Sequence, residues 1–267
     1  MSTRESAVAG AFYPADRENI EKMFAHFNSV LESHLKDKNL LKVKSRAIIV
    51  PHAGYIYSGF TANVAYRLLK NSGVKKVVII GPSHRVYLEG VSISDYENYQ
   101  TPMGKIPIDR DLVAKLKAKF HLRLHEEAHH EHSTEVQVPF LQEYLPNITI
   151  VELVYGKEDP KHLAQIIEYL LEDPTVGIVI STDLSHYYSL EEAKRLDSIC
   201  LEAVATEDVT LLHKGCEACG KIGVEAMLIA AKEKGLKPLI LDYRTSADAS
   251  GDKSQVVGYM SAAFLEE

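Results

Sequence analysis

Tryptophan is absent from the 267 residues, cysteine occurs three times, and 30 Lys and Arg stand against 37 Asp and Glu, for a formal net charge of −7. Each shortage excludes something. The deficit of cations argues against nucleic acid as a partner, because neutralising a phosphate backbone needs clustered Lys and Arg. Cys200, Cys216 and Cys219 are too few and too unevenly placed for a disulfide framework. No apolar run reaches membrane-spanning length, and the first residues lack the basic-then-apolar pattern of a secretory leader. The expectation is a soluble, cytoplasmic protein of a reducing compartment, with no membrane partner.

What is present is ordinary for a globular chain, with 46% hydrophobic and 25% charged residues. Apolar residues at helical spacing predict a helix over 17–35. Runs at 46–50 and 76–80 are continuous in Val and Ile, the pattern of strands buried on both faces, and 176–181 reads as another strand. Further strands are expected at 148–154, 238–243 and 256–264, and helices at 58–69, 109–120, 160–171, 190–206, 208–214 and 222–234. Residues 91–94 and 105–108 flank the turn-forming "YQTPMG" as a hairpin or edge extension. A helix running through Tyr144 is expected to take Thr134 as its cap, with Gln137 completing a capping box. Strand alternating with helix gives a single α/β domain over 1–267, in three layers with a mostly parallel or mixed sheet.

The 12 histidines carry the functional signal. "AIIVPHAG" ends a strand on His52, "VVIIGPSHR" ends one on His84, and "VGIVISTDLSHYY" presents Asp183 and His186. In an open α/β sheet, ligands bind beyond the carboxyl ends of the strands. His52 and His84 are separated by one crossover unit, so neighbouring strands would bring both imidazoles to one spot. A single turn can aim Asp183 and His186 at the same point. Two histidines and a carboxylate form the facial set that leaves positions open on iron. Zinc with three protein ligands and a water is the competitor. One histidine after a strand is an ordinary loop residue; three in equivalent places point to a shared site.

Seven motifs run in order from Ala7 to Gly223: "AVAGAFYPAD", "VPHAGYIYSG", "GPSHR", "TPMGKIPID", "EHSTEVQVPFLQ", "STDLSHY" and "CGKIG". Together they resemble the Memo-like family, which is similar in fold to the class III extradiol dioxygenases, users of nonheme ferrous iron. The resemblance implies a pocket formed by His52, His84, Asp183, His186 and Cys219, with His132 close by. Extradiol enzymes hold iron with two histidines and a late glutamate. His52 and His84 match those histidines, and His186 resembles the acid/base histidine. Cys219 stands where the glutamate is expected, a departure from the ring-cleaving set. A thiol there favours softer metals such as cuprous copper or zinc, and is open to oxidation.

Cys219 precedes Gly220 and a helix, and a helix N-terminus lowers a thiol pKa. With Cys216 it forms a C-x-x-C, which admits a redox disulfide or half a zinc site. There is no second such pair and no preceding strand of the thioredoxin kind. Cys200 is read as a buried core residue. In "HLRLHEEAHHEHS", His121, His125, His129 and His130 are read as mostly solvent-facing. His132 is given a substrate-facing or ligand-supporting role, and Glu131 could orient a neighbouring imidazole. Tyr55, Tyr57 and Tyr187 are candidate pocket residues.

The function expected is therefore metal binding by His52, His84 and Cys219. His186, Asp183 and His132 are the candidate catalytic groups, and iron or copper comes before zinc. The leading activity is redox chemistry on a small molecule. A peptide- or ligand-binding module in the same cleft is the alternative. Zinc-dependent hydrolysis ranks last, since no phosphate-cradling Gly loop is present. The sequence leaves oligomeric state open.

Overall fold

Strands made only of apolar residues need cover on both faces, and the order of elements supplies it. A computed structural model describes residues 2–266. The chain begins with the short strand β1 (Thr3–Arg4) and helix α1 (Arg17–His34), followed by β2 (Ala47–Val50), α2 (Tyr55–Leu69) and β3 (Lys76–Pro82). Next come β4 (Val91–Ile93), β5 (Asn98–Thr101), β6 (Gly104–Pro107) and α3 (Arg110–Phe120). Two short helices, α4 (His132–Glu135) and α5 (Val138–Tyr144), lead to β7 (Thr149–Tyr155), α6 (Pro160–Leu171) and β8 (Val176–Ser181). The remainder is β9 (His186–Tyr188), α7 (Leu190–Thr206), α8 (Val209–Leu212), α9 (Lys221–Lys234), β10 (Lys237–Thr245), α10 (Ala247–Ser250) and β11 (Val256–Leu265).

The main sheet has the order β10-β11-β2-β8-β3-β7-β4, with β9 paired to β11. Its middle, β2-β8-β3-β7, is parallel; β11, β10 and β4 join antiparallel at the flanks. Every residue of β2 and β8 is buried. Fully burying each such Val or Ile contributes roughly 1.5–3 kcal/mol. Helices α1, α2 and α5 cover one face, and α6, α7 and α9 the other, giving three layers around a mixed sheet. Helix starts follow local signals: Asp16, Asp109, Asp159 and Ser189 each accept a hydrogen bond from a backbone N–H of the first turn.

Several expectations are corrected. β2 and β3 are not neighbours, because β8 lies between them. Strand order is a choice among long-range pairings that a crossover length cannot make. The hairpin pairs β6 with β5, while β4 leaves it to pair with β7. Thr134 caps no helix: Glu131 caps α4, and the Thr134 hydroxyl donates to Glu152 instead. Helix α2 begins three residues earlier than expected, at a Gly54 cap without a side-chain bond, so no local signal marked it. His129 is fully buried rather than solvent-facing, because Glu152 and Ser92 both meet its ring.

Cysteine pairing is also corrected. Cys200 is buried as expected but bonded, in a disulfide with Cys216. Cys219 is the free cysteine, so the C-x-x-C is not the redox pair. A bridge of this kind is not what a reducing compartment predicts. No helix among the described residues is long and apolar enough to cross a membrane.

Candidate metal centre

The carboxyl ends of β2, β3 and β8 lie side by side in the sheet and deliver His52, His84 and Asp183 to one rim. Two glycines let further segments close on that rim. A Cβ on Gly81 would stand 2.6 Å from the Ser133 Oγ, so only glycine lets α4 settle onto the end of β3. A Cβ on Gly220 would stand 2.7 Å from the Ser181 carbonyl, so the Cys219 segment can approach β8 only there.

The result is a cluster of three imidazoles. One nitrogen from each of His52, His84 and His132 lies within 4.8 Å of the others. Ring centroids are 5.1 Å apart for His52 and His84, 5.4 Å for His52 and His132, and 4.7 Å for His84 and His132. In each ring Nδ1 is engaged from outside the cluster. Glu131 Oε1 takes both His84 Nδ1 at 3.0 Å and His132 Nδ1 at 2.9 Å, while His52 Nδ1 meets Ser181 Oγ at 2.8 Å. That turns Nε2 of all three rings away from these partners, the arrangement in which an outer partner orients a metal-ligating ring.

Glu131 is buried, and it also accepts from the backbone N–H of His84 at 2.6 Å and of Ser133 at 3.1 Å. Burial alone would raise its pKa, yet the bonds from His132 and His84 hold it well below the ordinary carboxylate range. Asp183, also buried, accepts the His52 N–H at 2.8 Å, and its other oxygen is 3.9 Å from His52 Nε2. Among the described residues, no Lys or Arg pairs with either carboxylate. Two buried carboxylates without a Lys or Arg partner therefore flank three imidazoles. His52 is pushed down to about 4, by burial first and then by its histidine neighbours, against the pull of Asp183. It is neutral at pH 7, the form a metal requires.

Cys219 stands outside the three-imidazole group but beside it, with Sγ 3.3 Å from His52 Nε2 and 3.3 Å from the Asp183 backbone nitrogen that donates to it. Its thiol is pushed up to about 12 by burial and by the Asp183 charge. This overturns the expected depression by the helix N-terminus: desolvation outweighs the hydrogen bonds offered there. His186 is on β9, paired with Val257 of β11, and its ring lies 5.8 Å from that of Tyr187. No ring contact among the described residues joins it to the three. The preceding Ser185 N–H is fixed by the buried carboxylate of Asp197 at 2.9 Å. Tyr57 and Tyr187 are exposed, whereas Tyr55 belongs to the core.

A deeper layer holds α4 in place. Arg4 donates to the carbonyls of His129 and Glu131 and pairs with buried Glu135. Glu135 in turn accepts from Ala7 N, Val8 N and the Tyr13 hydroxyl at 2.8–2.9 Å. This explains the first motif: it wraps Glu135 and lays Phe12 against His132, with ring centroids 4.6 Å apart. Glu152, a charged residue inside buried β7, meets His129 at 3.1 Å. Ser181, Gln137, Phe12 and Arg4 were not singled out as site residues from sequence. A polar residue in an otherwise apolar segment is the signal that marks Ser181 and Gln137. Two cavities of about 550 and about 650 Å³ lie elsewhere, around Arg110 and Lys117 and around Lys119 and His162.

Comparison with known proteins places the chain among relatives of one family. Residues 4–263 match the family described as "Memo-like protein". A MEMO1 family protein of Aquifex aeolicus is 36% identical, covering 99% of this chain and 100% of its own. One from Archaeoglobus fulgidus is 35% identical over 98% of this chain and 99% of its own, and one from Metallosphaera sedula 36% over 98% and 99%.

Proposed function

This chain belongs to the Memo-like protein family, and from that premise we propose that it is a metal-dependent oxidoreductase acting on a small molecule. His52, His84 and His132 would hold the ion, with Cys219 and Asp183 beside the His52 ring. The observation that carries this reading is the convergence of three imidazole nitrogens within 4.8 Å. The donor set fits a transition metal. Imidazole suits iron, copper and zinc, the His52 ring is neutral at pH 7, and a dication would balance Glu131 and Asp183. When bound, iron or copper supplies electron transfer and a Lewis-acidic position for a donor atom of the substrate.

The chain's own groups have distinct tasks. Glu131 orients two rings through Nδ1. Asp183 fixes the His52 backbone and is a carboxylate placed to hold a proton beside the cluster. Phe12 shields one face of His132. His186 remains the candidate proton carrier, as the family resemblance implies. Elemental analysis and anaerobic ferrous and cuprous titrations of wild type, His52→Ala, His132→Ala and Cys219→Ala test the assignment. Loss of binding in both histidine variants is expected, and a smaller loss in Cys219→Ala. A full metal load in His52→Ala would remove the proposal. A larger loss in Cys219→Ala than in His132→Ala would restore the ligand set His52, His84 and Cys219. Turnover restored by zinc alone, without oxygen consumption, would make the chemistry hydrolytic.

A second reading rests on a different observation. Ile56, Tyr57, Tyr87 and Tyr187 are the exposed large apolar side chains among the described residues. Each follows His52, His84 or His186 by five residues or fewer. Such a rim suits a binding module that captures a peptide or small ligand over the same centre. Retained peptide binding without oxygen consumption would favour it.

A further inference from the structure

The buried chain of polar groups behind His52 decides which of its nitrogens is protonated. We infer that Ser181, oriented by Gln137, is a positioning residue that locks His52 in the Nδ1–H tautomer and presents a bare Nε2 to the cluster. The inference rests on the metal-centre reading for its purpose, but not for its geometry.

The donor and acceptor inventory leaves one assignment. The Pro51 carbonyl can only accept, and it lies 3.0 Å from the Gln137 side-chain nitrogen. The Tyr66 hydroxyl donates to Gln137 Oε1 at 2.8 Å, which sets the amide the same way round. Gln137 Nε2 therefore donates to Ser181 Oγ, at 3.0 Å. The Ser133 carbonyl also only accepts, and Ser181 Oγ stands 2.6 Å from it, so the serine proton goes there. Towards His52 Nδ1, at 2.8 Å, the serine oxygen can then only accept. The ring must carry its hydrogen on Nδ1.

The other end agrees. Asp183 Oδ2, at 3.9 Å from Nε2, is beyond hydrogen-bond reach. The Cys219 sulfur, at 3.3 Å from Nε2, already receives the Asp183 N–H, and its own S–H is within reach of a bare Nε2 and of the Asp183 carbonyl at 3.7 Å. Tyr66, Gln137 and Ser181 are fully buried. An apolar trio would fill the same volume without the cost of burying an amide and two hydroxyls, a cost offset only by complete pairing. What the polar trio adds is a fixed tautomer.

The test uses metal-free, chelator-treated full-length protein labelled with 15N-histidine, read by long-range 1H–15N correlation at pH 7. His52 is identified by its absence in His52→Gln. A protonated Nδ1 and an unprotonated Nε2 are expected in wild type. In Ser181→Ala the signal moves to the Nε2–H tautomer, and affinity for ferrous ion falls 10–100-fold. Ser181→Thr, which keeps the hydroxyl, restores both. An Nε2–H ring in wild type overturns the inference, and that spectrum decides it even should Ser181→Ala fail to fold. An unchanged tautomer in folded Ser181→Ala overturns it as well. Because no metal is needed for the spectrum, Nδ1–H with no metal uptake removes the metal reading alone, and uptake with Nε2–H removes only this inference.

Discussion

The two walls of the centre are built on opposite principles. On one side, a single carboxylate, Glu131, grips two imidazoles and two backbone N–H groups, and the His84 ring it holds is 30% exposed. On the other, His52 is buried and held by a neutral hydroxyl, with the thiol of Cys219 and the carboxylate of Asp183 against it. A ring open to water tolerates a charged partner. A ring sealed in the core is instead kept uncharged by burial and fixed by neutral bonds, since a protonated imidazole there would lack solvation.

This contrast can be broken experimentally. The largest effect is expected from Glu131→Gln, which removes a buried charge from four hydrogen bonds; loss of about 3–5 kcal/mol should appear in urea denaturation. A change below about 1 kcal/mol would mean the charged wall is not holding α4.

Opening the Cys200–Cys216 bridge comes next. It closes a segment of 16 residues between α7 and the turn carrying Cys219, so the double Cys→Ala variant should lose about 3 kcal/mol. Metal affinity in that variant sharpens the comparison. A change under threefold is expected if the imidazoles bind alone, whereas a drop beyond tenfold would make the Cys219 wall part of the coordination.

Acid should separate the walls by pH. His52 has a folded pKa depressed from 6.5 to about 4, so the unfolded chain binds its proton first. Its contribution is present above 6.5 and is lost as pH falls toward 4, about 2 kcal/mol between pH 7.5 and 5 in metal-free protein. Glu131 is also depressed, and its contribution disappears only as pH falls below its ordinary value of 4.5. His52→Gln should flatten the upper part of this acid profile and leave the lower part. A profile unchanged by that substitution would show that His52 is not the sealed ring.

How much of this was readable in advance follows from distance along the chain. The buried strands and most helices were legible because apolar runs and helical periodicity act within a few residues. Their bounds over 160–171, 176–181 and 190–206 matched the structure. His52 and His84 were legible because a histidine following an apolar strand is itself a local pattern. His132 was placed near the pocket only through a resemblance, since it reaches the cluster from α4. Glu131 was half-read, as the partner of one imidazole rather than two.

The sequence by itself determined the elements, the apolar core and the histidines at the strand ends, because each is written in neighbouring residues. The tertiary structure alone decided that β8 separates β2 from β3, that Cys200 meets Cys216, and that Ser181, 129 positions away, touches His52. Those outcomes depend on which distant surfaces pack together. No short stretch of chain carries that competition between alternative long-range contacts.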